Sequence, residues 1–140
     1  MSDKDFLDTN ILVYAYDSNE PEKQQRAQSL LTQGIQREKA VISAQVLGEF
    51  FTVVTSRILA PLSADEAGGQ IDLFGLLPVV ELDLKLVKRA VLLHKECQIS
   101  YWDSLIIAAA EYAGCQKVLS EDLNAGQIYS GVEVENPFIQ

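Results

Sequence analysis

At 140 residues and 48% hydrophobic content, the chain is long enough for one domain with a real core, too short for two, and too apolar to be disordered. A formal net charge of −9 excludes a passive nucleic-acid binder working through a basic surface, unless metal ions, a local basic patch or a second subunit offset the acids. Two cysteines, no apolar run of membrane-spanning length and no basic-then-apolar leader at the N-terminus predict a reduced, cytoplasmic protein without a membrane role.

Lys4 to Leu7 reads as a first buried strand, followed by Asp8-Thr9-Asn10 and a short helix from Ile11 to Tyr16 that Asn10 can cap. Glu20-Pro21-Glu22 opens a second helix to about Gln33, with Ala27, Leu30, Leu31 and Ile35 on its apolar face and Gly34 near its end. Ala40 to Ser43 is short and apolar, as a buried parallel strand should be, and Ser43 can cap a helix from Ala44 to about Leu59. Ser63 and Glu66 have capping-box spacing for a helix to about Leu76. Pro78 to Leu82 is a third strand. Asp83 caps a helix to about Lys95 that carries Lys85, Lys88 and Arg89 on one face. Ser100 and Asp103 precede a helix that is apolar almost all round and stops at Gly114, which implies burial against its neighbours. Gln116 to Ser120 is a fourth strand, ended by Glu121-Asp122. Leu123 to Tyr129 is loop, and Val132 to Glu135 alternates like an edge strand.

Strands alternating with helices predict an α/β fold: a mainly parallel five-stranded sheet with helices on both faces and right-handed crossovers. In that architecture Asp8 and Asp122 stand at carboxyl ends of strands, where ligands bind in open α/β sheets. Glu49 and Asp103 stand early in helices that start from the same edge. Each acid taken singly has an ordinary explanation: a turn for Asp8, a solvated helix position for Glu49, a capping box for Asp103. Together, four carboxylates from distant parts of the chain converge on one crevice, where like charges repel unless a cation binds. Oxygen-only ligands suit Mg²⁺ or Mn²⁺, and such a site suits phosphodiester hydrolysis. The single histidine, His94, has no second His or close Cys pair beside it, which argues against zinc.

Four stretches resemble the signature blocks of PIN-domain ribonucleases: Phe6-Leu7-Asp8-Thr9-Asn10-Ile11-Leu12, Glu49-Phe50-Phe51, the run from Tyr101 to Ala110, and Leu119-Ser120-Glu121-Asp122-Leu123-Asn124. The resemblance spans the chain and is closest to the VapC-type toxins of bacterial toxin–antitoxin pairs. It implies a three-layer α/β/α sandwich, Mg²⁺- or Mn²⁺-dependent endoribonuclease activity, and a dimer held by a VapB-like antitoxin. It also implies Asp8, Glu49, Asp103 and Asp122 as metal-binding catalytic acids, with Asn10 and Ser120 as polar supports. Glu121 fits the fourth position less well than Asp122. Arg57, Lys85, Lys88 and Arg89 are the candidate RNA phosphate contacts, and Leu12, Tyr16, Leu30 and Leu31 a candidate antitoxin groove.

Three other readings share parts of this pattern. A PIN-domain RNA-processing nuclease without a toxin role has the same residues. A small-molecule phosphatase of the haloacid dehalogenase type requires a second Asp where Asn10 stands. A non-catalytic receiver module requires paired acids after the first strand and a Lys after the last core strand, whereas Lys117 precedes Val118. The latter two leave Glu49 and Asp103 without a task.

Overall fold

The computed structural model describes residues 3–139. Short apolar segments form the strands β1 (Asp5–Leu7), β2 (Ala40–Ser43), β3 (Val79–Val80), β4 (Lys117–Leu119), β5 (Ile128–Tyr129) and β6 (Val132–Glu135). They join in one sheet of order β3-β2-β1-β4-β6-β5, parallel throughout except for β5, which runs antiparallel to β6. The sheet thus has six strands instead of the five expected. Two-residue β5 lies in the stretch read as loop, and it turns back at Ser130-Gly131, both with positive φ, to pair with β6. That pairing also takes β6 off the edge: it lies between β4 and β5.

The helices are α1 (Thr9–Tyr14), α2 (Pro21–Gln36), α3 (Ala44–Val54), α4 (Ala64–Phe74), α5 (Leu84–Cys97) and α6 (Tyr101–Tyr112). On one face α5 packs on α6, and α6 packs on β2, β4 and β6. On the other, α1 bridges α2 and α3, and α3 meets α4, which completes a three-layer α/β/α sandwich. Phe6, Val41, Ile42 and Val118 of the strands, Phe50 of α3 and Ile107 to Ala110 of α6 fill the core. The small alanines of α6 allow that close approach. No helix among the described residues is long and apolar enough to cross a membrane.

Helix ends differ from the sequence reading for local reasons. Asp8, not Asn10, caps α1, because its own side chain accepts the Thr9 N–H. Gly34 lies inside α2 instead of ending it; its task is contact, since a Cβ there would sit 2.9 Å from the Cβ of Ala40 on β2. Helix α3 stops at Val54, five residues early, as Thr55 and Ser56 turn their hydroxyls back to the carbonyls of Phe51 (2.7 Å) and Thr52 (2.6 Å). The groove expected from Leu12, Tyr16, Leu30 and Leu31 does not exist as such. Leu12 and Leu31 are buried in the core, and Tyr16 is half-buried with its ring against Phe50 and Phe74.

Candidate active site

The β1–β4 register pairs Leu7 with Leu119, so Asp8 and Ser120 emerge side by side at the carboxyl edge of the sheet. The Asp8 N–H donates to the Leu119 carbonyl (3.0 Å), and Asp8 Oδ1 accepts the Thr9 N–H (2.8 Å). Ser120 is fully buried. Its hydroxyl donates to Asp8 Oδ2 (2.7 Å) and accepts from the Asp122 N–H (3.1 Å). Asn10 bridges the two loops: Nδ2 donates to Asp122 Oδ2 (3.2 Å) and Ser120 Oγ (3.4 Å), while Oδ1 accepts the Glu121 N–H (3.1 Å). Ser120 and Asn10 therefore set the spacing of the carboxylates at positions 8 and 122.

Glu49 arrives from the second turn of α3 and accepts a hydrogen bond from Thr9 Oγ1 at 2.6 Å. Asp103 comes from the first turn of α6, its N–H capped by Ser100 Oγ (3.1 Å), and its half-buried carboxylate accepts no hydrogen bond among the described residues. Asp8, Glu49, Asp103 and Asp122 line one cleft of about 740 Å³ together with Asn10 and Arg57.

Asp8 is only 7% exposed. Burial pushes its carboxyl up to about 6, against the hydrogen bonds from Ser120 and Thr9; the charges of Asp122 and Glu49 push in the same direction as burial. All its hydrogen-bond donors are neutral. Glu121 also lines the cleft, but it is differently engaged: Lys23 Nζ lies 2.6 Å from its Oε2, and the Tyr14 hydroxyl donates to its Oε1. Burial pushes the Glu121 carboxyl up, yet the hydrogen bonds from Lys23 and Tyr14 and the Lys23 charge outweigh it and leave it below its ordinary value. Glu121 thus carries its own counter-ion, and Asp8 does not.

Among the cations, Arg57 lines the cleft, from the turn that follows α3. Lys85 and Arg89 do not; they line a separate cavity of about 620 Å³ beside Val79 and Val80, and Lys88 lines neither. Arg89 is held by a bidentate pair with Glu111 of α6, Nε to Oε1 at 2.7 Å and Nη2 to Oε2 at 2.8 Å. This pairing engages Arg89 with α6 and not with the acidic cleft.

The donor set tests well against a hard divalent cation: all oxygens, one deeply buried carboxylate with only neutral donors, and a second, Asp103, that accepts no hydrogen bond. Distances are a different matter. Among the described residues, no group of three or more Asp, Glu, His or Cys side chains is gathered tightly enough to hold an ion. The carboxylates of Glu49, Asp8 and Asp122 are held instead by Thr9, Ser120 and Asn10.

Sequence reasoning passed over Thr9, Gln45 and Trp102. Thr9 sits inside the Asp-Thr-Asn turn, but its partner lies 40 residues away, so no local signal announces the bond. Gln45 and Trp102 line the cleft beside Glu49 and Asp103; their nearness to acids in the sequence was the available signal.

A family model described as PIN domain matches residues 6–130. Similar solved structures include VapC20 of Mycobacterium tuberculosis, a toxin that cleaves the sarcin–ricin loop, at 22% identity and a TM-score of 0.62, over 85% of this chain and 90% of that one. FitAB bound to a DNA fragment aligns at 18% identity and a TM-score of 0.71, over 97% and 96% of the two chains. DNA-bound VapBC of Salmonella typhimurium aligns at 18% identity and a TM-score of 0.67, over 96% and 98%. No curated protein sequence matches the chain significantly.

Proposed function

The chain belongs to the PIN-domain family, and on that premise we propose that it is a Mg²⁺- or Mn²⁺-dependent endoribonuclease, the toxin of a toxin–antitoxin pair. The observation that carries the proposal is the setting of Asp8. A buried carboxylate with only neutral donors, beside other acids, calls for a cation, and the cleft around it is open enough for a nucleotide chain. Asp8, Glu49 and Asp103 would hold the ion directly. Asp122, hydrogen-bonded to Asn10, is the acid best placed to act through water. When bound, the ion supplies Lewis acidity toward a phosphoryl oxygen and a nearby water. Ser120 and Asn10 hold the carboxylates in place, and Arg57 offers a guanidinium to a flanking phosphate.

The toxin role and the antitoxin partner rest on the neighbouring folds: VapC20 is a toxin, and another similar structure is a toxin–antitoxin complex from Klebsiella pneumoniae. A homodimer is proposed on the same analogy. An antitoxin that silences the site by covering it would place an Arg in the cleft, because a planar, always-charged donor pairs with the carboxylates that otherwise hold the ion.

The test is cleavage of a labelled single-stranded RNA with Mg²⁺. Asp8→Asn, Glu49→Gln and Asp103→Asn should each abolish cleavage with the fold retained, and EDTA should do the same to the parent. Asp122→Asn should retain more activity than these three. Parent-level rates in folded Asp8→Asn or Asp103→Asn protein would overturn the assignment.

A further inference from the structure

Glu121 and Asp122 are neighbours in the chain and both line the cleft, yet the fold treats them in opposite ways. The Asp122 carboxylate is held lightly, by a hydrogen bond of 3.2 Å from Asn10 Nδ2. Glu121 is gripped at three points. Its N–H donates to Asn10 Oδ1 (3.1 Å), its Oε1 accepts from the Tyr14 hydroxyl, and its Oε2 lies 2.6 Å from Lys23 Nζ. Asn10 and Tyr14 stand four residues apart on α1, so both reach Glu121 from the same face. A helix of six residues is too short to hold its own shape, and its far end needs a fixed point. Lys23, from the first turn of α2, supplies one, because it also donates to the Tyr14 hydroxyl (3.4 Å). Lys23 is itself held. Its Nζ lies over the rings of Tyr14 and Phe138, 4.9 and 5.9 Å from their centroids, and the two rings meet edge to face at 5.0 Å. The segment after β6 brings Phe138 there: Arg26 Nε donates to the Pro137 carbonyl (3.1 Å), and the Phe138 N–H donates to Asn136 Oδ1 (2.9 Å). The Lys23 and Glu121 side chains remain 34% and 25% exposed, so their pairing adds little to stability and its consequence is geometric.

We propose that Lys23 is a positioning residue for the fourth acid: by holding Glu121 against α1 and the Phe138 segment, it fixes the loop from which Asp122 faces the cleft. Of two consecutive acids, Lys23 and Tyr14 make one an anchor and leave the other to the cleft. Asp8 does not depend on this anchor, since Thr9 and Ser120 hold its two oxygens. A Glu121 released from Lys23 therefore lets Asp122 move while Asp8 stays. The Phe138 segment thereby reaches the acids through Lys23, although it lines no part of the cleft. This inference rests on the metal-dependent reading and adds to it that the placement of Asp122 is set from α2.

The sign of the effect separates positioning from charge. Taking a cation away from an acidic cleft strengthens its attraction for a divalent ion, whereas a misplaced Asp122 weakens binding. Mn²⁺ affinity is measured without RNA, from the loss of the free-ion paramagnetic resonance signal, for the parent, Lys23→Met, Asp122→Asn and the double variant. Lys23→Met should weaken Mn²⁺ binding roughly tenfold, the effect that residues orienting metal ligands commonly have. On the Asp122→Asn background the same substitution should no longer weaken it, because the acid it acts through is gone. Tyr14→Phe, which removes one donor to Glu121, should weaken binding in the same direction and by less. Urea unfolding of metal-free Lys23→Met should stay close to that of the parent, as for any partly exposed ion pair. An affinity in Lys23→Met equal to or above the parent's, or the same weakening on both backgrounds, would overturn the positioning role and leave the metal-dependent reading standing. Absence of Mn²⁺ binding by the parent would overturn the two together.

Discussion

Asn at position 8 should make the metal-free protein more stable at neutral pH even as it removes activity. Asp8 is ordinarily a 3.8 carboxyl that burial raises to about 6 in the fold. A folded-state value above the unfolded one means the native state holds its proton more tightly. The associated stability is fully present below about 3.8 and lost as pH rises through about 6. At pH 7.5 the ionised Asp8 therefore costs about 3 kcal/mol, and at pH 5 roughly half of that. Asn keeps the acceptor for the Thr9 N–H and the cap of α1. It obliges the Ser120 hydroxyl to accept where it now donates, a rearrangement worth about 1 kcal/mol. The net gain at pH 7.5 in EDTA is about 2 kcal/mol, roughly 6–10 °C in Tm for a domain of this size. The gain should shrink on going to pH 5. Added Mg²⁺ should then raise the parent's Tm and leave that of Asp8→Asn nearly unchanged, since binding to the native state alone is what stabilises. Thermal unfolding at the two pH values, with chelator and with Mg²⁺, checks all three. A variant less stable than the parent at pH 7.5, or a difference that does not change with pH, would refute the electrostatic account of Asp8.

Three further substitutions test Gly34, Arg89 and Arg57. Gly34→Ala should destabilise the fold by about 1–3 kcal/mol, read by urea unfolding, because the new methyl meets the Cβ of Ala40 at 2.9 Å and neither group can swing away. Arg89→Ala should lower stability by about 1 kcal/mol through loss of a partly exposed bidentate pair and leave the KM for RNA unchanged, whereas Arg57→Ala should raise that KM with little effect on unfolding.

The elements that sequence reasoning found are those whose signal is local. Apolar runs of β1, β2 and β4, the 3.6-residue stripes of α3 and α5, and the Ser63–Glu66 box each declare themselves within a dozen residues. Alternation of strand and helix then brings Asp8, Glu49, Asp103 and Asp122 to one edge, so the acids of the cleft were readable one by one. What escaped depends on distant partners. Two residues of β5 carry no periodicity, and only pairing with β6 makes them a strand. The Tyr14–Glu121 hydrogen bond joins positions 107 apart. Arg89 looks like one of three equivalent surface cations until Glu111 of the next helix claims it. Leu12 and Leu31 look like groove residues because an apolar stripe does not say whether a sheet or a partner protein covers it.

The net charge of −9, which at first argues against an RNA ligand, becomes intelligible once the cleft is treated apart from the surface. Asp8 sits with three other acids, and its strain can be relieved by a proton, by a divalent ion, or by an arginine from a partner protein. At neutral pH the proton is mostly lost, because burial raises the carboxyl only to about 6. Without a bound cation, an RNA strand in the cleft would meet the repulsion of these acids, offset only by Arg57, the single cation among the lining residues. On the proposed function, the ion that performs catalysis is thus also the ion that admits the substrate. Metal and RNA must then raise each other's affinity by the same factor, as linkage requires. An inhibitory arginine would compete with the metal for the same carboxylates and deny the RNA its counter-charge. It would act on both equilibria through one contact.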